Sequence, residues 1–258
     1  MKNRFAILSL LMLFIFQYGF SQKAYESGEW FKFRIHYGPF NASYATLEVK
    51  ETELNNRNVY HVVGKGKSTG LLHLFFKVDD NYETYIDKRT NLPHRFIRQI
   101  DEGGYTKNVQ IDFDHHSNTA YVKDKKHNEE STFTTSGNVQ DMLSAFYYVR
   151  NNLDAKNLEP GQDFEFMMFF DKENHKFKLK FLGRDVVKTK FGKIATLKFR
   201  PYVMAGRVFK EEESLTIWVS DDKNKMPVKL KAQLAVGSLD ADLDEFKGLK
   251  HPFRIITK

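Results

Sequence analysis

After residue 28, apolar and polar positions alternate with a period of two along most of the chain, which is the pattern of half-buried β-strands. In residues 30–37, four apolar side chains fall on one face and three basic side chains on the other. Polar turns at residues 55–58 and 88–91 separate such segments. The pattern predicts roughly a dozen or more strands that follow one another in up-and-down order.

One segment in the middle of the chain departs from this alternation. Residues 138–153 place their apolar side chains at helical spacing, with Asn138 as the predicted N-cap and Asp141 in the first turn. The apolar stripe of such a helix needs a partner face. The sequence therefore predicts a mainly β fold, in which a large curved antiparallel sheet, a half-barrel or open barrel, wraps around one principal helix.

The second half of the chain returns to strand patterns. Residues 163–170 carry apolar side chains at both phases of the alternation, which predicts a central strand that the helix covers on one side. Residues 176–182 and 185–190 are predicted as two strands joined by a turn at Gly183 and Arg184.

The N-terminus has the order of a secretory signal peptide. Lys2 and Arg4 precede an apolar run over residues 5–16, and small and polar residues follow. The run is shorter than the about 20 residues that cross a bilayer. We therefore predict a signal peptide over residues 1–21 and a single β-rich domain over residues 22–258. The chain has no Cys, hence no lipobox, so the expected product is an exported, soluble periplasmic protein without a lipid anchor or a transmembrane span.

Composition narrows the class of function. Lys and Arg number 40 against 33 Asp and Glu, a net charge of +7 that is scattered along the chain and forms no basic block. This distribution, without a finger or helix-turn-helix pattern, argues against a nucleic-acid partner. The chain contains no G-x-S-x-G, H-E-x-x-H or P-loop motif, and no thiol. We accordingly predict no catalytic residues, no metal site and no cofactor.

Two segments are candidates for contact with an apolar ligand. Between two predicted strands lie five large apolar residues in six positions, either a cap on the end of the core or a gate for a lipid: Leu71, Leu72, Leu74, Phe75 and Phe76. The Met- and Phe-rich strand suits either a packed core or an adaptable ligand cavity. The predicted cavity-lining residues are Phe146, Met168 and Phe170.

Two motifs resemble a known family. Residues 139–150, V-Q-D-M-L-S-A-F-Y-Y-V-R, are similar to the D-x-L-S-A-F-Y-Y-x-R helix of an exported bacterial family, domain of unknown function 3108 (DUF3108). Residues 215–222, continuing through 227–228 to 236–238, resemble the I-W-x-S-D-D…P-V…x-G-S ending of that family. The resemblance implies export and a shape similar to the curved-sheet proteins that carry or receive lipoproteins in the bacterial envelope. Because the family has no assigned activity, no catalytic residues can be carried over from it.

These observations favour a periplasmic protein that binds or carries an apolar or amphiphilic ligand, such as a lipid or an acylated peptide, without catalysis. The alternative is a structural or accessory protein that docks on an outer-membrane or secretion component of the envelope. A third hypothesis is a hydrolase of envelope polymers, which would need two carboxylates at a suitable separation in a groove.

Overall fold

A computed structural model describes residues 23–69, 77–203 and 215–256 of the chain. The predicted signal peptide therefore lies outside the described residues. Within them, strands dominate, with one α-helix, α1, and one short 3-10 turn. The strands are β1 (Trp30–Tyr37), β2 (Phe40–Leu54), β3 (Arg57–Ser68), β4 (Asp79–Asp87), β5 (Pro93–Glu102), β6 (Tyr105–Asp114), β7 (Thr119–Asp124), β8 (Glu129–Thr134), β9 (Asp163–Phe170), β10 (Glu173–Thr189), β11 (Gly192–Val203), β12 (Leu215–Ser220), β13 (Pro227–Gln233) and β14 (Ser238–Lys247); α1 is Met142–Asn152 and the 3-10 turn is Ala155–Asn157.

All these strands belong to one antiparallel sheet in the order β8-β7-β6-β5-β4-β3-β2-β1-β14-β13-β12-β11-β10-β9. The first and last strands pair with each other, from Trp30 opposite Lys247 to Tyr37 opposite Leu239, so two meanders join at the chain ends. The free edges are β8 and β9, and no backbone ladder connects these two strands. The predicted open barrel around one principal helix is therefore confirmed.

Tight turns built on left-handed residues keep the strands in up-and-down order. The β2–β3 hairpin turns at Asn55 and Asn56, whose φ angles are 51° and 60°. Two consecutive residues with positive φ form the type I′ turn that matches the twist of paired strands. Asn tolerates this conformation because its short side chain bonds locally to the backbone.

The predicted turn at Gly183 and Arg184 is wrong, because β10 runs through it as one strand. The pairing of β10 with β11 shifts register between Phe181 and Gly183, which is a β-bulge. Gly183 has a φ of 129°, a conformation that costs little only for glycine. The glycine therefore bends a continuous strand where the pattern predicts a turn.

The prediction of residues 163–170 as a central strand is also wrong, because β9 is an edge of the sheet. The side chains on both faces of β9 are apolar because the curled sheet brings the opposite edge region over one face, while α1 faces the other. Phe169 packs on Phe113 and Phe133 of the opposite edge region, with ring centroids 6.1 Å apart in both pairs. Phe166 and Met168, on the other face of β9, point towards α1. The curl of the sheet covers both faces of this edge strand.

Helix α1 begins later than its sequence pattern predicts. Asp141 is the N-cap, and its carboxylate accepts hydrogen bonds from the backbone N–H groups of Leu143 and Ser144, both at 2.8 Å. Asn138 is not the cap, because the chain before the helix is extended and pairs with β9. There the N–H of Gln140 donates to the carbonyl of Met167 at 2.9 Å, and the carbonyl of Gln140 accepts from the N–H of Phe169 at 2.9 Å. Among the described residues, no helix combines the length and apolar character needed to span a bilayer.

Candidate ligand-binding cavity

A partly open cavity of about 380 Å³ lies between α1 and the inner face of β9 to β13, the face that the sheet turns towards the helix. This volume falls near the lower end of the range of small-molecule sites, about 300–1,000 Å³. The wall is almost entirely apolar. Its large apolar side chains include Phe146, Phe166, Met168, Phe177, Phe199 and Ile217.

Simple periodicity places the side chains of β9 and α1 on the wall, and strand pairing adds those of β10. On β9, Phe166, Met168 and Phe170 alternate with side chains on the other face, so all three line the cavity. Phe177 of β10 lies directly opposite Phe166, with the ring centroids 4.9 Å apart. On α1, Phe146 and Val149 are three residues apart and lie on the helix face that borders the cavity.

The opposite face of α1 is densely packed. Tyr147 is fully buried and meets the ring of Tyr25 edge-on, with centroids 4.6 Å apart. At Gly64 of β3, an added Cβ would lie 3.1 Å from a methyl group of Leu47 and 3.4 Å from one of Leu143. The missing side chain of Gly64 therefore lets the helix approach this part of the sheet closely. The cavity lies along one face of α1, and the other face belongs to the core.

A buried polar contact fixes the start of α1 against the sheet. The hydroxyl of Thr84 on β4 donates to the Asp141 carboxylate at 2.6 Å, and both residues are buried. Burial raises the pKa of Asp141 to about 6, although the donors around its carboxylate act in the opposite direction. The N-cap of the helix is thus also its attachment to the first half of the sheet.

A buried ion pair closes the far end of the cavity. The two Nη atoms of Arg150 donate to the two carboxylate oxygens of Glu29 at 2.6 Å each, and both side chains are at most 1% exposed. The Nε–H of Arg150 donates to the carbonyl of Asn224 at 3.0 Å. Burial alone would lower the pKa of Arg150, but the Glu29 carboxylate outweighs burial and raises it. This pair joins the start of β1, the end of α1 and the β12–β13 turn.

Four aromatic rings surround the guanidinium of Arg150. Its central carbon lies 5.2–5.6 Å from the ring centroids of Tyr25, Phe31, Phe146 and Tyr147. Cation–π contacts of this kind are strongest where water is excluded. Because Phe146 also lines the cavity, one ring belongs both to the ion-pair cage and to the cavity wall.

A second cation lines the cavity at this closed end. The Nζ of Lys225, in the β12–β13 turn, donates to the carbonyl of Arg150 at 2.9 Å. Burial lowers the pKa of Lys225, and the neighbouring Arg150 lowers it further. At the β9–β10 end of the cavity, the Nε2 of His175 is hydrogen-bonded to the carbonyl of Phe170 at 3.1 Å. The polar groups of the wall are therefore few and cationic or neutral.

The sequence profile of the family described as "Protein of unknown function (DUF3108)" matches residues 32–244. The chain belongs to the DUF3108 family. The fold also resembles a beta-barrel-like protein of domain of unknown function DUF1849 from Brucella abortus, known from a crystal structure, with a TM-score of 0.57 and 9% sequence identity. That similarity covers 86% of this chain and 98% of the other chain, and at this identity it concerns the fold alone. No curated protein matches the sequence.

The motif residues of the DUF3108 chain form the frame of the cavity. Asp141 caps α1, and Arg150 binds Glu29 at the closed end. In the second motif, the indole N–H of Trp218 donates to Asp185 at 3.0 Å, and Asp222 organises the turn before β13. These four motif residues therefore have defined structural contacts, and Arg150 also lines the cavity.

The structure brings together the three predicted lining residues Phe146, Met168 and Phe170, all of which face the cavity of the DUF3108 chain. The five predicted gate residues, Leu71, Leu72, Leu74, Phe75 and Phe76, lie outside the described residues. In the residues that the structure describes, no three His, Asp or Glu side chains are grouped so that they could hold a metal ion.

Sequence reasoning missed most of the cavity wall on the sheet. The alternation that puts Met168 and Phe170 on one face also puts Phe166 there, so this residue could have been found. Phe177, Phe199 and Ile217 carry no such signal, because their position on the wall depends on the pairing of β9 to β12.

Proposed function

We propose that this protein binds and carries an apolar or amphiphilic ligand, such as a lipid or an acylated peptide, in the cavity beside α1. The single observation that carries the proposal is an almost wholly apolar cavity of about 380 Å³ between the helix and the sheet. Binding would require no covalent step, since burial of an acyl chain contributes about 0.8 kcal/mol per CH₂ group.

The proposed setting is the periplasm. The N-terminal charge and apolar pattern favours export. An exported carrier of this kind would shield an acyl chain from water between two membranes. The large apolar side chains on the wall, including Met168, suit ligands that vary in shape.

The test is displacement of a neutral fluorescent probe, N-phenyl-1-naphthylamine, by single-chain lipids, together with native mass spectrometry of protein purified from the envelope of its host. We expect co-purified lipid that delipidation removes, and probe fluorescence that rises on binding. Val149→Trp, which puts a larger side chain on the cavity wall, should abolish binding while the protein stays folded. Val186→Trp, at a side chain that is 52% exposed and does not line the cavity, is the matched control. No bound lipid and no probe binding in the folded wild-type protein would refute the proposal.

A specific surface feature favours the second candidate, an accessory envelope protein that docks on an outer-membrane or secretion component. Five large apolar side chains are exposed around the neighbouring β1–β2 and β13–β14 turns: Tyr37, Phe40, Leu234, Val236 and Leu239. They form one patch, because the Tyr37 hydroxyl donates to the Val236 carbonyl at 2.9 Å and Tyr37 pairs with Leu239. Exposed apolar patches mark contact surfaces.

Crosslinking in cells separates the two candidates. One dominant protein partner that is lost in a Phe40→Ser, Val236→Ser double variant supports the docking function. Val186→Ser, at an exposed apolar side chain away from these turns, should leave the crosslink intact. A lipid that co-purifies with both variants supports the carrier.

A further inference from the structure

Lys225 carries an unmatched positive charge on the wall of the cavity. Among the described residues, no carboxylate oxygen lies within 4.0 Å of its Nζ. The nearby cation Arg150 differs, because Glu29 neutralises it with two hydrogen bonds. A charge at the end of an apolar cavity is costly to bury unless an opposite charge accompanies it.

The two carboxylates that act electrostatically on Lys225 accept their hydrogen bonds from other donors. Asp222 accepts from the backbone N–H of Asn224 at 2.9 Å and from that of Lys225 at 3.2 Å. Asp154 accepts from the N–H of Lys156 at 3.1 Å and from the side chain of Asn157 at 2.7 Å. Neither carboxylate pairs with the ammonium group.

The β12–β13 turn holds Lys225 in a defined position. The residue has a φ of 45°, and the Asp222 carboxylate fixes its backbone N–H. An ammonium group has three N–H donors. One of them is used by the carbonyl of Arg150, so two remain for a ligand at the closed end of the cavity.

We propose that Lys225 binds the oxyanion head group, a carboxylate or a phosphate, of a single-chain amphiphile whose tail lies along the apolar wall towards Phe170. This inference rests on the proposed carrier function and names its ligand class. The modest cavity volume of about 380 Å³ favours one chain over the two chains of a phospholipid. The competing explanation is that Lys225 only caps the end of α1 through the Arg150 carbonyl.

The experiment compares ligands that differ only in the head group. The measurement is displacement of N-phenyl-1-naphthylamine by three ligands: dodecanoate, dodecyl phosphate and 1-dodecanol. It is made on the wild-type protein and on the variants Lys225→Met, Lys225→Arg and Lys223→Met. Lys223 is an exposed lysine in the same turn and serves as the matched control. In the wild-type protein we expect at least one of the two anions to bind roughly tenfold to a hundredfold more tightly than the alcohol.

Lys225→Met should remove that preference by weakening the binding of the anions far more than that of 1-dodecanol, whereas Lys225→Arg and Lys223→Met should retain it. The anion that shows the larger preference identifies the head group.

Equal binding of acid, phosphate and alcohol by the wild-type protein overturns this inference and leaves the carrier function standing. A Lys225→Met protein that loses stability and binds all three ligands equally weakly also overturns it, since Lys225 then acts only as a helix cap. Failure of all three ligands to displace a probe that does bind also overturns it, and failure of the probe to bind refutes the carrier function itself.

Discussion

The two faces of α1 meet the same sheet in opposite ways. Towards β3 and β4, Tyr147 and Leu143 are packed against the strands, and Gly64 lets the backbones come close. Towards β9 to β12, Phe146 and Val149 face a cavity. One helix therefore serves as core on one side and as the wall of a cavity on the other. Stability should depend mainly on the first face and ligand affinity on the second, so mutations can separate the two.

The largest loss of stability is expected at the buried Glu29–Arg150 pair, which fixes the end of α1 and so supports both of its faces. Glu29→Gln leaves the guanidinium of Arg150 buried without its counter-charge, and breaking such a pair costs about 3–5 kcal/mol. We expect the free energy of unfolding in urea at pH 7 to fall by this amount. Glu48→Gln breaks an exposed pair with Lys50, 2.9 Å apart, and should change stability by less than about 1 kcal/mol.

A double variant tests the cause of that loss. Glu29→Leu with Arg150→Met removes both charges and retains bulk, so it should be more stable than Glu29→Gln alone. If the double variant is less stable than the wild-type protein by the sum of the losses measured for Glu29→Leu and Arg150→Met alone, the two charges act independently and the explanation fails.

Neighbouring residues of β9 give the sharpest comparison of the two sides. Phe169 is 1% exposed in the core, and Phe169→Ala should cost about 3–5 kcal/mol of unfolding free energy. Phe170 lines the cavity, where fewer contacts are lost, so Phe170→Ala should cost less than about 1.5 kcal/mol. Affinity for the fluorescent probe should show the reverse order. Equal stability losses would mean that the cavity side is as tightly packed as the core.

Alternation along the chain predicts the strands well, and the pattern of residues 30–37 has the same bounds as β1. Neighbours in space are harder to predict. The pairing of β1 with β14 joins residues more than 200 positions apart, such as Trp30 and Lys247, and no local pattern reports it. The apolar content of β9 is equally ambiguous, because a central strand and an edge covered by a curled sheet have the same sequence pattern.

The cavity itself depends on separations that periodicity does not contain. Phe146 and Tyr147 are adjacent aromatic residues on one helix, yet one lines the cavity and the other is fully buried. The difference comes from the distance between the helix and each half of the sheet, to which Gly64 contributes. Sequence therefore identifies residues suited to a cavity wall, and only the packing shows which of them border a void.

The packed side of α1 should also have a pH signature, through Asp141. The pKa of Asp141 is about 6 in the folded protein, against 3.8 for an ordinary Asp side chain as in the unfolded chain. Between these two pH values, the folded protein keeps a proton on Asp141 that the unfolded chain has lost. This contribution to stability is full below pH 3.8 and is lost as pH rises to about 6, by at most about 1.4 kcal/mol per pH unit. From pH 4 to pH 7, the stability of the wild-type protein should fall relative to that of Asp141→Asn.

Asp154 provides the control for this measurement. Its side-chain hydrogen bond with Asn157 lowers the pKa of Asp154, so its contribution is present above the ordinary pKa and is lost as pH falls. The difference between the wild-type protein and Asp154→Asn should therefore stay nearly constant from pH 4 to pH 7 and should shrink only at lower pH, the opposite of the trend at Asp141. A pH-independent difference for Asp141→Asn would show that the buried cap does not titrate in this range.

The smallest effect is expected at the seam where the two halves of the curled sheet meet. The side chain of Asn174, next to β9, donates to the carbonyl of Thr134 at 2.8 Å and accepts from the N–H of Ser136 at 2.9 Å. Asn174→Ala should reduce the unfolding free energy by about 1 kcal/mol, because exposed hydrogen bonds contribute little net energy. Asn157→Ala, which loses a bond only to nearby Asp154, is the control. Hydrogen exchange should accelerate near Ser136 in the first variant and not in the second. Unchanged exchange there would mean that the hydrogen bonds of Asn174 do not hold the two halves together at this point.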